Sequence, residues 1–302
     1  MMSKIKFFAT VILLLLFSFY LRAEEVPDTV KGWKTGGVLS LTGSQISFTN
    51  WAAGGENSVS VNSFINLFAN YKKNKMTWDN TLDLGYGLMR QGSDEDVLYY
   101  KTDDKIDFSS KYGRYAFEHW YYTGLVSFKS QFTEGFKKAT DTVRISNFLA
   151  PGYVNVSIGM DYKPNDNFTL YISPFSGKIT FVTDTMLSNA GAYGVTPGEI
   201  VRYEFGGYVK AQFKANLADN ITYTSRLELF SNYIEKPQNV DVNWENIVNF
   251  KINKFFSANI HITMLYDDDT EINIYDDNGD FVGKGARLQI KQLFGLGITY
   301  KI

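Results

Sequence analysis

The sequence contains no cysteine, which excludes disulfides, thiolate metal sites and lipid attachment at a cysteine. Histidine occurs only at His119 and His261, too few for a histidine-rich metal site, so no metal and no other cofactor is expected. Neither charge predominates. The formal net charge of -2 becomes -5 once Lys4, Lys6 and Arg22 leave with an N-terminal leader, with 27 basic against 32 acidic residues. That balance offers no basic footprint for nucleic acid, and nucleic acid is not expected as a partner. Past Leu21 no apolar run approaches the roughly 20 residues that a membrane-spanning helix needs, and mean hydropathy is slightly negative. A helical membrane protein is thereby excluded.

The N-terminus reads as an export signal. Lys4 and Lys6 precede an apolar core from Phe7 to Leu21, and Ala23 offers a small residue for cleavage before Glu24 and Glu25. The organisation expected is a leader over 1–23, a short lead-in over 24–34 and one all-β domain over 35–302. Aromatic residues make up 16% of the chain, which suits strands with interfacial anchors.

The last fifteen residues, LQIKQLFGLGITYKI, set the pattern. Leu288, Ile290, Phe294, Leu296, Ile298, Tyr300 and Ile302 share one parity, broken only by Gln292. Gln289, Lys291, Gly295, Gly297, Thr299 and Lys301 share the other, with Leu293 the exception. Strand side chains alternate between faces, so one face is greasy and the other small or polar. The same alternation recurs upstream. Met76, Trp78, Leu82, Leu84, Tyr86 and Leu88 oppose Thr77, Asp79, Thr81, Asp83, Gly85 and Gly87, a run longer than the 9–11 residues that cross a bilayer. Trp78 and Tyr86 are spaced for aromatic girdles at the two edges of such a band.

Twelve strands are predicted, the first over Thr35–Phe48, the fourth over Tyr99–Tyr112 and the fifth over Tyr115–Phe132. In the seventh the phase changes after Pro174 and Gly177, which predicts a bulge or a bend out of the membrane. Short connections (Lys72–Lys75, Gly113–Arg114, Lys163–Asn167, Ala215–Asn220, Asn253–Lys254) alternate with mostly longer ones. Ile234–Asn239 is the weak point, being no longer than Ala215–Asn220. The fold expected is a single antiparallel up-and-down transmembrane β-barrel, with both termini on the periplasmic rim and the long loops outside. A soluble sandwich or lipocalin-like barrel, whose greasy face points inward, would not need strands this long.

The polar parity carries Asp83, Asp103, Lys105, Arg202, Glu204, Arg226, Glu228, Glu245, Lys251 and Arg287. These charges either pair across the lumen and close it or line a pore and set its selectivity; the mixed signs favour pairing. Asn50, Trp51, Gly54 and Gly55 form an unusual loop, read as an interfacial anchor beside a turn or as a loop that meets a partner. The acidic stretch YDDDTEINIYDDNGD from Tyr266 lacks the ligand spacing of a calcium loop. Its Asn278-Gly279 pair reads as a hairpin turn.

No catalytic residue is expected. Twelve-stranded outer-membrane phospholipases carry a nucleophilic serine two residues after a histidine, whereas here Tyr121 follows His119 and Thr263 follows His261 at that spacing. The segments QISFTNWAAGGENS, KTDDKIDFSSKYG, SNFLAPGY, LFSNY and LYDDD make the chain, over roughly Gly32 to Ile302, resemble a family of predicted outer-membrane proteins of unknown function from Bacteroidetes-type bacteria. The resemblance implies the outer membrane of a diderm bacterium and no activity. The expected partners are outer-membrane lipid, the outer-membrane insertion machinery and either a small polar solute or an envelope protein. The expected role is a narrow or plugged channel or binding barrel, with a non-transporting interaction protein as the alternative and a lipid hydrolase as a remote one.

Overall fold

The computed structural model describes residues 32–46, 57–92, 98–136, 140–270, 272–276 and 280–301. The expected leader, the motif Asn50, Trp51, Gly54 and Gly55, and the turn expected at Asn278-Gly279 lie outside the described residues. Twelve strands close into an antiparallel barrel: β1 Gly32–Ile46, β2 Ser58–Lys73, β3 Met76–Gln91, β4 Leu98–Phe117, β5 Trp120–Ser130, β8 Gly152–Asn165, β9 Phe168–Phe181, β10 Val201–Ala218, β11 Ile221–Asn232, β12 Asp241–Lys251, β13 Phe256–Tyr266 and β16 Gln289–Lys301. Each neighbours its predecessor and successor, and β1 pairs with β16. Two small ladders, β6 Gly135–Phe136 with β7 Arg144–Ser146 and β14 Ile272–Tyr275 with β15 Phe281–Gly285, stand in the loops.

Parity places the greasy residues outside. Ile158 and Phe294 are each 71% exposed, and Leu41, Val61, Val126 and Leu296 are exposed on the same outer surface. Asp83, Ser157, Asp161 and Glu245 are buried inside. A barrel folded for water has the opposite arrangement, because apolar burial is its main driving force. Aromatic rings gather at both edges of this band. Trp33 packs against Tyr71 and Trp78 at one edge, and Tyr86 meets Phe132 at the other.

The connections sort by rim more cleanly than the sequence suggested. Asn74–Lys75, Glu118–His119, Asp166–Asn167 and Asp219–Asn220 are two-residue links, and Ile252–Phe255 completes that rim. The tie at Ile234–Asn239 is removed because β10 runs on to Ala218 while the β11–β12 link spans 233–240. Both chain ends of the barrel lie on the short-turn rim, where Gly32 pairs with Lys72 and Lys301 with Val38.

Three sequence boundaries move. The turn expected at Gly113–Arg114 is strand, and β4 continues to Phe117. The reversal falls at Glu118–His119, both with positive φ, so Glu118 stands in the turn and not in the wall. β1 begins at Gly32, so Gly32–Lys34 belong to the wall and not to the lead-in. The phase change around Pro174 is a bulge within β9, since Pro174 has no N–H for the ladder. Pairing slips there against both neighbours, and β8 presses its Gly159 against the Ile172 carbonyl, where a Cβ would clash with the oxygen.

Inside, Leu125, Tyr171, Tyr208 and Phe230 form an apolar cluster contributed by β5, β9, β10 and β11. At the long-loop rim, residues 131–136, 140–151 and 182–200 fold together into a cap with its own small core of Ala150, Val182, Leu187 and Val195. Thr183 N–H donates to the Leu149 carbonyl at 3.0 Å and joins the two loops. Asp184 knots the cap. It accepts from Asn147 Nδ2 at 3.1 Å and from the backbone N–H groups of Met186 and Leu187, and Arg144 lies 3.0 Å away. The Asn147 hydrogen bond chiefly holds the Asp184 carboxyl below the usual carboxylate range, with the Leu187 N–H and Arg144 adding to it.

A depressed folded-state pKa means that the stabilisation is complete above the unfolded value of about 3.8 and is lost as pH falls through the lower folded value. Protease cleavage within 182–200 is therefore expected to rise steeply only below about pH 4. Asp184→Asn should be cleaved readily at neutral pH, and limited proteolysis across a pH series measures both.

Candidate functional site: a lumen crossed by ion pairs

The inward parity builds a continuous charge network at mid-height. Lys105 on β4 donates to Glu245 on β12 at 2.7 Å, and Arg226 on β11 pairs with Asp83 on β3. In the closed order each of these two pairs joins strands six places apart, which is straight across a twelve-stranded ring. Arg226 also lies 3.3 Å from Glu245. Lys129 on β5 reaches Glu228 on β11 at 2.6 Å, and Lys210 on β10 meets the same carboxylate at 3.1 Å. Asp107 stands 3.8 Å from both Lys105 and Lys129 and links the two halves. The four cations Lys105, Lys129, Lys210 and Arg226 thus balance the four carboxylates Asp83, Asp107, Glu228 and Glu245.

Two further clusters flank this belt. Toward the short turns, Asp161 accepts from Lys111 at 2.8 Å and lies 3.3 Å from Lys163, which also pairs with Asp79. Toward the loops, Lys178 reaches Asp241 at 2.9 Å and Glu204 at 3.4 Å. Arg202 joins Glu204, Glu235 and Asp269. Lys236 binds Asp268 at 2.7 Å, so the acidic loop is tied to the mouth through its first aspartates. Gly194 of the cap, with φ +77°, sits against the Arg202 guanidinium.

Eight of the ten charges read from parity meet partners in this way: Asp83, Asp103, Lys105, Arg202, Glu204, Arg226, Glu228 and Glu245. Asp103 is held by Lys291 of β16. The other two stand apart. Lys251 ends β12 at the short-turn rim, exposed, and Arg287 lies outside the strands with its guanidinium on the Ala286 carbonyl. The ten did not include Lys111, Lys129, Lys163 and Lys178. Lys129 stood on the inward parity of the fifth strand and was legible; Lys178 lay beyond the phase break at Pro174 and was not.

The histidines take structural places. His119 is in a turn and meets the Tyr162 ring edge-on at 6.3 Å. His261 faces the lumen, with Nε2 2.9 Å from Glu245 Oε1. Thr263 Oγ1 lies 3.5 Å from that same nitrogen. A nucleophile relay needs the two ring nitrogens on different partners, so Glu245, His261 and Thr263 do not form one.

Residues 43–136 match the family model described as "Protein of unknown function (DUF3078)". The matched stretch includes the NWAAGG and KTDDKI segments, while SNFLAPGY, LFSNY and LYDDD fall beyond it. No curated protein matches the chain. Among solved structures, the translocator domain of autotransporter NalP from Neisseria meningitidis is 10% identical with a TM-score of 0.37, covering 90% of this chain and 89% of that one. An outer membrane channel from Pseudomonas putida F1 is 10% identical with a TM-score of 0.36, covering 92% and 96%. The β domain of the Bordetella autotransporter BrkA is 12% identical with a TM-score of 0.28, covering 90% and 100%.

Removing one partner of a buried ion pair costs more than replacing both by apolar groups. Glu245→Gln leaves Lys105, Arg226 and His261 around a neutral amide. It should destabilise the barrel by roughly 3–5 kcal/mol, read as a lower temperature for loss of the compact, fast-migrating form on gels. Lys105→Met combined with Glu245→Met should recover part of that loss.

Proposed function

We propose that this chain is an outer-membrane β-barrel of a diderm, Bacteroidetes-type bacterium whose lumen is closed by its own charges, so that it works as a plugged scaffold and not as a passive pore. The observation that carries this reading is the pair of salt bridges, Lys105–Glu245 and Arg226–Asp83, that join opposite walls. A solute passing the mid-plane would have to break them, and Leu125, Tyr171, Tyr208 and Phe230 fill one side of the same lumen. The short-turn rim faces the periplasm and the capped rim faces outward, following the usual order of outer-membrane barrels. The barrel acts without catalysis, and its partners are lipid around the wall, the insertion machinery during assembly and an envelope component at the loops.

A second reading, a gated conduit for small polar solutes, is favoured by one observation. On the β1 and β13 side the lumen is lined by short hydroxyl side chains, Ser40, Ser257 and Thr299, bonded to one another and not to charges.

Planar-bilayer recording separates the two. The wild-type protein should pass no stepwise current, and the double variant Lys105→Ala/Arg226→Ala should open a steady conductance. Resolved steps from the wild type would overturn the plugged reading. The membrane placement is tested independently by Leu296→Arg, which sets a charge on the lipid face. It should cost about 2–4 kcal/mol near the mid-plane and abolish heat-modifiable mobility, whereas Lys291→Arg on the inward parity should leave mobility unchanged.

A further inference from the structure

Charge is divided unevenly along the axis of the lumen. The mid-height belt is neutral, with its four cations matched by four carboxylates. Toward the loops the excess is acidic: Lys178, Arg202 and Lys236 stand among Glu204, Glu235, Asp241, Asp268 and Asp269. Toward the short turns the excess is basic. Lys111 and Lys163 are matched there by Asp161 and Asp79, but four more lysines share the inward parity. Lys34 falls in step with Ser40 on β1, Lys72 with Asn66 on β2, Lys214 with Lys210 on β10 and Lys251 with Glu245 on β12. Among the described residues none of these four has an ion-pair partner.

Two of the four converge. β1 and β10 stand five places apart in the closed order of twelve and so nearly face each other across the ring. Lys34 is nevertheless among the charges that act on Lys214, together with Arg226 and Asp83 of the belt. Asp83 is already engaged by Arg226 and by the Asn66 amide, so no carboxylate is left for the lysines. Two ammonium groups thus approach from opposite walls, beneath a guanidinium, with nothing described between them to offset their repulsion. A cleft lined by one sign of charge and walled by low-dielectric material focuses its field and gathers counter-ions. The belt shuts the upper end of this cleft, and an anion entering from the short-turn rim meets a closed floor.

We propose that the short-turn end of the lumen is a dead-end binding site for a compact multivalent oxyanion of the phosphate class, held between Lys34 and Lys214. Lysine ammonium groups are point charges on flexible stems and impose no planar fork. The site therefore selects for density of negative charge and not for the shape of a single carboxylate. Lys72 and Lys251, nearer the rim, attract the anion and steer it inward. The proposal rests on the plugged lumen argued above and gives that closed barrel a ligand class at one end.

Calorimetric titration of the full chain in neutral detergent with inorganic pyrophosphate, at neutral pH and fixed ionic strength, tests the site. The expected result is saturable binding that weakens as sodium chloride is raised. Lys34→Gln combined with Lys214→Gln should weaken it at least about tenfold, while Lys34→Arg combined with Lys214→Arg should restore most of it. Lys236→Gln, at the opposite end, should leave it unchanged. Heat-modifiable mobility of each variant shows that the barrel is folded. No saturable binding by the folded wild type, or equal binding by the Lys34→Gln/Lys214→Gln variant, overturns the site. Hexaglutamate binding more tightly than pyrophosphate through the same two lysines overturns the compact-oxyanion assignment in favour of an acidic peptide. Vesicles loaded with pyrophosphate separate this proposal from the plug. Escape through the wild type with binding intact overturns the closed lumen alone, and retention without binding overturns the site alone.

Discussion

Lys105 and Glu245 meet from opposite walls of the barrel, and Arg226 and Asp83 do the same beside them. Arg226 also meets Glu245 on the neighbouring strand and Lys105 meets Asp107 on its own, but the two pairs across the lumen form only when the ring is closed in its observed register. A shift of one residue would turn every inward charge toward the outer face. The polar lumen therefore specifies the wall as much as the wall positions the lumen. Buried pairs contribute little net stability against apolar substitutes, and their effect here is to exclude other registers and to occupy the axis.

The outer surface and the lumen divide the physical work. Outside, the apolar parity is nearly uninterrupted along β16, with Ile290, Phe294, Leu296 and Ile298 all exposed. Inside, charge, hydroxyl and aromatic groups are distributed unevenly around the ring. The β5, β8, β9 and β10 side is filled by Leu125, Tyr171, Tyr208 and buried serines such as Ser157, Ser173 and Ser176. The β1 and β16 side has small residues, and it is also where the ladder is shortest. Filling is thus greatest opposite the shortest ladder of the ring.

The two rims differ in the same sense. Short turns leave little at one end, whereas the other carries a cap that packs as a separate small core and a loop tied down by Arg202–Asp269 and Lys236–Asp268. The SNFLAPGY segment finds its structural reason there. Asn147 and Ala150 exchange backbone hydrogen bonds, Thr183 N–H bonds Leu149, and Asn147 supplies the side chain that holds Asp184.

The period-two alternation alone determined an all-β barrel of twelve strands, the face each greasy residue takes, and eight of the charges that meet partners in the lumen and at its mouth. That information is local, because side-chain direction in a strand depends only on residue parity. The turn at Glu118–His119 was misplaced at Gly113–Arg114 because glycine inside a strand looks like punctuation when its neighbours are unknown. Only the tertiary structure decided which charges pair, since Lys105 and Glu245 are far apart in the chain and become partners through ring closure. It also decided that the lumen is crossed and that β1 and β16 share the shortest ladder of the ring, because both follow from how twelve strands share one circumference.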